Sequence, residues 1–326
     1  MRAIVIGFGK VGREVVKQAR LMGVGIEFVG ALSSKGGAVL REREDMATLE
    51  ELAQVGEGLS EHPSFTPGLS VQDLVKAADP DIAFVAIPPN YASGEPNMSI
   101  YRDLARLGVS TVTADKTALA MDFWGTLKMF LSEGARLGYR ATVAAGVPMT
   151  DVARAIRWRG VNSFTAILNA TTNYIISLIE SGMRYGEAVS KAIEDGYAEP
   201  DPTVDTHGWD PAAKVAIIAS ILEGRSISVR EVERVPLGEG IEELINSARK
   251  RGHVIRYVAT YERGRGASVK PAELGPNHPL TKASGTHNVA VFRLEGEEVI
   301  ISGPAGPAWR TARVMIGDAL DIAGGW

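Results

Sequence analysis

Cysteine is absent from all 326 residues, which excludes disulfides, thiolate nucleophiles and cysteine-ligated zinc or iron. Apolar runs are short. IAFVAI at 82–87 is typical and falls far below the roughly 20 residues that cross a bilayer. No charged n-region with an apolar core precedes the fold, because Met1 leads straight into the strand-like AIVIG, so no secretory signal is expected. Positive charge is not in excess either. Lys and Arg number 35 against 39 Asp and Glu, a formal net charge of −4, and no Lys/Arg stripe carries interleaved aromatics. A nucleic-acid partner is therefore not expected. What is present, 45% apolar and 23% charged residues, is the composition of a soluble globular protein. The expectation is a cytoplasmic protein with no membrane partner, long enough for two domains.

The first half alternates β-like and helix-like segments. Strands are read at 2–6, 26–32, 82–87, 109–113 and 141–144, with helical apolar spacing at 11–22, 71–78, 97–108 and 123–138. Such alternation implies βαβ units and a parallel sheet. The stretch from Ser33 to about Met46 reads as a long charged loop. After Pro148 the pattern changes to helix 148–158, strand 161–169, helices 172–182 and 185–195, a loop at 196–209 and a helix at 211–223. Several β runs follow between 254 and 303, and a final helix at 308–323. The second half is thus an α+β region.

Gly7-Phe8-Gly9-Lys10-Val11-Gly12 lies between the first strand and the first helix. In that context a GxGxxG motif reads as a dinucleotide fingerprint. Its first glycine permits a tight turn, the second lets backbone approach a pyrophosphate, and the third lets helix and strand pack closely. The helix N-terminus offers N–H groups and a positive dipole end to phosphate. The other reading is a glycine-rich turn that binds nothing. The second strand ends Ala31-Leu32-Ser33-Ser34-Lys35, without the acid that usually binds ribose hydroxyls, and Arg41 and Arg43 follow. Hydroxyls and cations suit a 2′-phosphate, so NADP is favoured over NAD. Alternatively, Lys35, Arg41 and Arg43 are solvated charges balanced by Glu42 and Glu44.

Three further segments carry chemistry. Thr113-Ala114-Asp115-Lys116 stands at the carboxyl end of a strand, where ligands bind in open α/β sheets. Lys116 there points to a nicotinamide, or is a surface lysine in a first helical turn. Asn169-Ala170-Thr171-Thr172-Asn173-Tyr174 joins a strand to a helix; its Thr and Asn residues cap the helix or bind a substrate carboxylate. The third segment runs from Tyr197 to Lys214. Its prolines and alternating acids predict an ordered loop. Asp210-Pro211 reads as N-cap and first residue of the next helix, with Lys214 four residues on and able to meet Asp210. That pair is an acid–base site, or a cap beside a snorkelling lysine. A divalent-metal loop of Asp201, Asp205, His207 and Asp210 lacks a recognisable ligand spacing.

Together GFGKVG, TADK, AAGVP at 144–148, NATTNYI, GYAEPDPTVDTHGWDPAAK and NHPL…NVAVF resemble the homoserine dehydrogenases, over nearly the whole chain. The resemblance implies a Rossmann-type parallel-sheet domain at 1–140, an α+β catalytic and dimerisation domain at 141–303, and a 304–326 segment whose helix returns to the first domain. It implies NAD(P)-dependent interconversion of L-aspartate 4-semialdehyde and L-homoserine, in threonine, methionine and isoleucine biosynthesis, by a homodimer. Lys214 and Asp210 match the family's catalytic pair and Lys116 the lysine between cofactor and substrate. Glu199, Asp205, Thr171 and Tyr197 match the homoserine pocket. The carbonyls of Val143, Ala145 and Val147 match a monovalent-cation site for Na⁺ or K⁺.

The match has departures. Asp115 stands where the family usually has asparagine, and Ala170 where it has glycine. Arg140 replaces a glutamate that helps hold the cation. Ala305-Gly306-Pro307 replaces a glycine-rich closing loop and should be stiffer. No regulatory domain or fused kinase is expected after the last helix. Two other functions fit the same residues: a different NAD(P)-dependent reductase of a small amino or keto acid, and a protein that traps NADP with little turnover.

Overall fold

The computed structural model describes residues 1–283 and 285–325. Ser284 and Trp326, the last residue of the expected 304–326 segment, lie outside the described residues. In chain order the first half contains β1 (Arg2–Ile6), α1 (Lys10–Met22), β2 (Glu27–Ser33), β3 (Gly36–Val39), α2 (Arg43–Val55), β4 (Phe65–Pro67), α3 (Val71–Ala78) and β5 (Ile82–Val85). It continues with α4 (Asn97–Arg106), β6 (Ser110–Thr113), α5 (Thr117–Met121), α6 (Phe123–Ser132) and β7 (Leu137–Gly138). The second half contains α7 (Met149–Ile156), β8 (Ser163–Ile167), α8 (Ala170–Glu180), α9 (Tyr185–Glu194), α10 (Thr203–Thr206) and α11 (Trp209–Glu223). Then come β9 (Glu233–Arg234), α12 (Ile241–Lys250), β10 (Val254–Glu262), β11 (Gly266–Leu274), β12 (His287–Leu294), β13 (Glu297–Pro304) and α13 (Ala308–Ala323). The chain forms two compact units, one of residues 1–119, 124–145 and the stretch from Gly306, the other of residues 120–123 and 146–305.

The first unit is built on a sheet ordered β4-β3-β2-β1-β5-β6-β7. Strands β2, β1, β5, β6 and β7 run parallel, as the βαβ alternation predicts. Strand β1 is apolar on both faces because both are covered. Ala3 and Val5 join Val15 and Val16 of α1 and Met315 and Ile316 of α13 in one core, while Ile4 and Leu74 of α3 meet beside Gly30 on the opposite face. Helix α13 is pinned to α1 by Arg313 Nε donating to Gln18 Oε1 at 2.8 Å.

Three expectations need correcting here. The stretch from Ser33 is not a long loop. Strand β3 pairs antiparallel with β2 and β4 with β3, giving the sheet an antiparallel edge. Gly36 and Gly37 contribute no side chains to an alternating pattern, so the sequence hides that strand. Helix α2 then starts from a reciprocal Glu42–Asp45 capping box. The expected strand at 141–144 is also absent, and two-residue β7 takes its place at the sheet edge. Residues 140–142 form a 3₁₀ turn, closed by Thr142 donating its N–H and its hydroxyl to Tyr139 O at 3.0 and 2.7 Å. A hydroxyl that returns to the local backbone competes with the sheet ladder. Finally, the helix expected over 123–138 stops at Ser132.

The second unit carries a sheet ordered β13-β12-β8-β10-β11-β9, antiparallel except for β11 with β9. Phe164 and Phe292 are cross-strand partners with ring centroids 4.8 Å apart. Tyr261, beside Phe164 on that face, donates its hydroxyl to Glu223 of α11. On the other face Ile167, Val258, Val289 and Val291 pack with Leu280 and Ala283 of the 275–286 connection. Helix α11 is buried from Pro211 to Leu222, Lys214 apart, which explains an apolar run without a polar face. Helices α10 and α12 lie in segments that the sequence reading left without helices. Among the described residues no helix is long and apolar enough to cross a membrane.

Candidate functional site

In the first unit the carboxyl ends of β1, β2, β5 and β6 open onto a cleft of about 890 Å³. Gly7 through Val11 form one wall, Leu32, Ser33 and Ser34 another, and the 86–90 stretch with Asn97, Ala114 and Lys116 the rest. The three fingerprint glycines have separate physical reasons. Gly7 sits at φ +96, and a Cβ there would lie 2.4 Å from Ala86 O. A Cβ on Gly12 would lie 1.9 Å from Gly7 O. Both glycines are demanded by the fold itself. Gly9 is the N-cap of α1 in extended conformation, and a Cβ there would meet nothing within 4 Å. Packing does not require Gly9, and backbone left bare beside a helix N-terminus fits a pyrophosphate that must approach closely.

Ser33 turns its hydroxyl to Gly36 O at 2.9 Å and accepts from Lys35 N at 3.3 Å, which closes the β2–β3 turn. Ser34, the second hydroxyl of the Ser33-Ser34 pair, lines the cleft beside it. Lys35, Arg41 and Arg43 are solvent-exposed on this turn and at the start of α2, and the cleft-lining set does not include them.

Asp115, next to Lys116, is only 2% exposed. It accepts from Asn97 Nδ2 at 3.0 Å, Thr117 N at 3.0 Å, Thr117 Oγ1 at 2.7 Å and Tyr101 OH at 3.2 Å. Burial raises its carboxyl above the usual carboxylate range, against the lowering pull of those hydrogen bonds and of Lys116. Asn97 also donates to Pro88 O at 2.9 Å, so this buried knot ties together two walls of the cleft. Nothing in the local sequence pattern announces it.

In the second unit β8, α8, α10 and α11 converge on a polar cluster. Asn169 caps α8, its Oδ1 accepting from Thr172 N at 2.8 Å. Its Nδ2 donates to Asp205 Oδ1 at 2.6 Å and to Asp210 Oδ2 at 2.8 Å. Lys214 Nζ donates to Asp210 Oδ2 at 2.7 Å and to Leu168 O at 2.6 Å. The Asp210 and Lys214 side chains are each 15% exposed, so the pair is sheltered yet reachable. Asp205 is held above the usual carboxylate range by burial and then by Asp210, opposed by Asn169, Lys214 and Thr171. Thr171 donates to Tyr197 O at 2.7 Å. The Tyr197 ring lies 4.3 Å from that of Tyr174, and Glu199 follows on the same exposed stretch.

The structure therefore gathers Asp205, Asp210 and Lys214 through the Asn169 bridge and the Asp210–Lys214 pair, sets Thr171 against Asp205, links Tyr197 to Thr171 through its carbonyl, and leaves Glu199 at the surface. One expectation is corrected: Asp210 is not the cap of α11. Gly208, at φ +77, holds that position, so Asp210 and Pro211 are the second and third helical residues and Asp210 is released to bind Lys214. Asn169 is the residue that sequence reasoning missed. Its capping signal was legible, whereas its bonds to two acids more than 30 positions away were not. His207 is exposed, and among the described residues no group of three or more His, Asp or Glu is arranged to hold a metal ion.

Arg140 donates its backbone N–H to Asp318 Oδ2 at 2.9 Å, and its guanidinium engages Asp318 and Asp321 of α13. Of the three carbonyls assigned to a cation, that of Val147 accepts from Met149 N at 2.7 Å. Those of Val143 and Ala145 flank Ala144, a non-glycine residue at φ +49.

A protein-family model described as homoserine dehydrogenase matches residues 148–320. A homoserine dehydrogenase of Sulfurisphaera tokodaii is 30% identical over 314 residues, covering 94% of each chain. Among solved structures, a putative homoserine dehydrogenase of Archaeoglobus fulgidus aligns with TM-score 0.86 and 25% identity over 99% of both chains. A mutant hyperthermophilic archaeal homoserine dehydrogenase in complex with NADPH aligns with TM-score 0.85 and 25% identity, covering all of this chain and 99% of the other.

Proposed function

The chain belongs to the homoserine dehydrogenase family, and from that premise we propose that it interconverts L-homoserine and L-aspartate 4-semialdehyde with NADP as its preferred cofactor and Lys214 as its proton-transfer residue. The observation that carries this reading is the Lys214–Asp210–Leu168 contact set. Two of the three ammonium N–H groups are committed within the protein, which leaves the third for a substrate oxygen.

A bound nicotinamide supplies the hydride to the aldehyde carbon, or accepts it from the alcohol carbon. As negative charge develops on the carbonyl oxygen, the Lys214 ammonium donates a proton to it; in the reverse direction neutral Lys214 removes the hydroxyl proton. Asp210 holds that nitrogen in place. Asp205 and Glu199 are assigned to the substrate ammonium, Thr171 and Tyr197 to the wall of its pocket. Lys116, in the wall of the cofactor cleft, is assigned to polarise the nicotinamide end. Gly7 through Gly12 would hold the pyrophosphate.

Support for NADP comes from Ser33 and Ser34 in the cleft wall, from the missing acid at the end of β2, and from the NADPH-bound structure that this chain resembles. Lys35, Arg41 and Arg43 are assigned to the 2′-phosphate from the rim. Arg140, already engaged with two carboxylates, brings no anion to the carbonyls of Val143, Ala145 and Val147, so the reaction is written without a monovalent cation. A cytoplasmic homodimer is the proposed state. Strand β13, at the edge of the second sheet with Ile300 half exposed, offers a surface for a second copy.

Initial rates with L-homoserine and either NADP⁺ or NAD⁺ test this function. Turnover with a higher kcat/KM for NADP⁺ is expected. Nucleotide binding without turnover of homoserine by either cofactor would refute it.

A further inference from the structure

We propose that Asn169 is the positioning residue of the second-unit cluster, fixing Asp205 and Asp210, and through Asp210 the Lys214 ammonium, in one rigid arrangement. This inference rests on the function proposed above and adds to it a residue outside the catalytic and substrate-binding set.

The orientation of the amide is determined rather than arbitrary. Oδ1 accepts from Thr172 N at 2.8 Å and from Thr172 Oγ1 at 3.0 Å, so Nδ2 faces the acids. A flipped amide would set its oxygen against two carboxylates and its NH₂ against a backbone N–H. An asparagine amide has two N–H donors, and here one goes to each acid. The division is uneven in its effect. Asp210 Oδ2 also receives Lys214, whereas Asp205, on a different helix, takes Asn169 as its closest donor. Asn169 bridges the two like-charged groups with one donor to each, and its removal would leave their mutual repulsion less opposed.

The backbone adds a second constraint. Leu168, the residue before Asn169, accepts from Lys214 Nζ. The end of β8 thus grips both partners of the ion pair, the ammonium through a carbonyl and the carboxylate through the next side chain. A peptide link between those two grips ties the placement of the proton-transfer nitrogen to the same turn that caps α8. Asn169 itself is only 5% exposed, as befits a group that orients others.

Capping and positioning separate by mutation. Ser and Asp cap helices about as well as Asn, but Asp cannot donate to two carboxylates, and Ser, with one donor on a shorter arm, cannot reach both. The full-length chain carrying Asn169→Ser or Asn169→Asp is expected to keep its helix content and its NADPH affinity while kcat/KM for homoserine falls about 100-fold, the scale of a misplaced reacting group. Asp205 should titrate at higher pH in both variants, since a hydrogen bond that favours its ionised form is gone, and the acidic limb of kcat/KM should move up with it. Asn169→Asp, with a third carboxylate, should shift further than Asn169→Ser.

Wild-type kcat/KM and an unmoved acidic limb in both variants would overturn the proposal. So would a loss of activity that only follows the folded fraction. If the wild-type chain does not oxidise homoserine, the function is refuted separately. Carbon-13 titration of the Asp205 carboxylate, assigned with Asp205→Asn, then decides: an upward shift in Asn169→Ser supports the positioning role, and an unchanged titration overturns it.

Discussion

Lys214 and Asp210 stand one turn apart on α11 with 2.7 Å between Nζ and Oδ2, and the carbonyl of Leu168 takes a second ammonium N–H at 2.6 Å. The carboxylate fixes where the ammonium points. Replacing Asp210 by Asn keeps the shape and removes the charge. Asp210→Asn is expected to lower kcat by one to two orders of magnitude, within the usual scale of acid–base assistance, with a smaller change in homoserine KM. Steady-state kinetics checks this; an unchanged kcat would remove Asp210 from its role.

Asp205 governs the acidic side of the pH profile. Its folded-state pKa is raised, chiefly by burial, and its ionised form is the one assigned to the substrate ammonium. Lowering pH through that raised pKa therefore empties the binding-competent form, and kcat/KM for homoserine should fall at a pH above the ordinary aspartate value of about 3.9. Asp205→Asn should abolish this limb and raise homoserine KM. A limb that persists in the variant would assign it to another group.

Asp115 links pH to stability. A carboxyl whose folded pKa is raised stabilises the fold below its unfolded pKa and loses that contribution as pH rises through the folded pKa. Asp115→Asn has no such group. The Tm difference, variant minus wild type, should therefore move in favour of the variant as pH rises from about 4 toward neutrality. Calorimetry at several pH values measures it, and a difference that is flat with pH would contradict the buried-acid assignment.

The glycines of the fingerprint make a paired prediction. Gly9→Ala should leave Tm nearly unchanged, because its Cβ meets only open space, yet raise the cofactor Kd about tenfold or more by blocking close approach to the pyrophosphate. Gly12→Ala should destabilise the fold strongly, because its Cβ would fall 1.9 Å from Gly7 O. Thermal melts and cofactor titration separate the two, and equal Tm losses would contradict the distinction.

Ser34 lines the cleft, and an acid there would repel a 2′-phosphate while accepting ribose hydroxyls. Ser34→Asp is expected to shift the NADP⁺-to-NAD⁺ ratio of kcat/KM at least tenfold toward NAD⁺. An unmoved ratio would take the end of β2 out of cofactor selection.

What was legible in the sequence had local physical signals. Strand, GFGKVG and helix follow one another within about 20 residues, and the Asp210–Lys214 pair is separated by one helical turn, so both survive in the structure. Strand β3 escaped notice because Gly36 and Gly37 leave it almost without side chains to pattern. The 141–144 segment looked extended until Thr142 bonded back to Tyr139. Asp210 looked like a cap because Asp-Pro suits that position, yet Gly208 takes it through a left-handed φ. Asn169 and Asp115 draw their roles from partners on other elements, a relation that no spacing rule reports.

The central claim, that Lys214 transfers the proton, is tested most directly by single-turnover reduction of L-aspartate 4-semialdehyde with NADPH bound to wild-type and Lys214→Ala protein, followed by nicotinamide absorbance. The expected result is equal NADPH binding and a chemical step slowed by about two or more orders of magnitude in the variant. Equal single-turnover rates would show that another group supplies the proton.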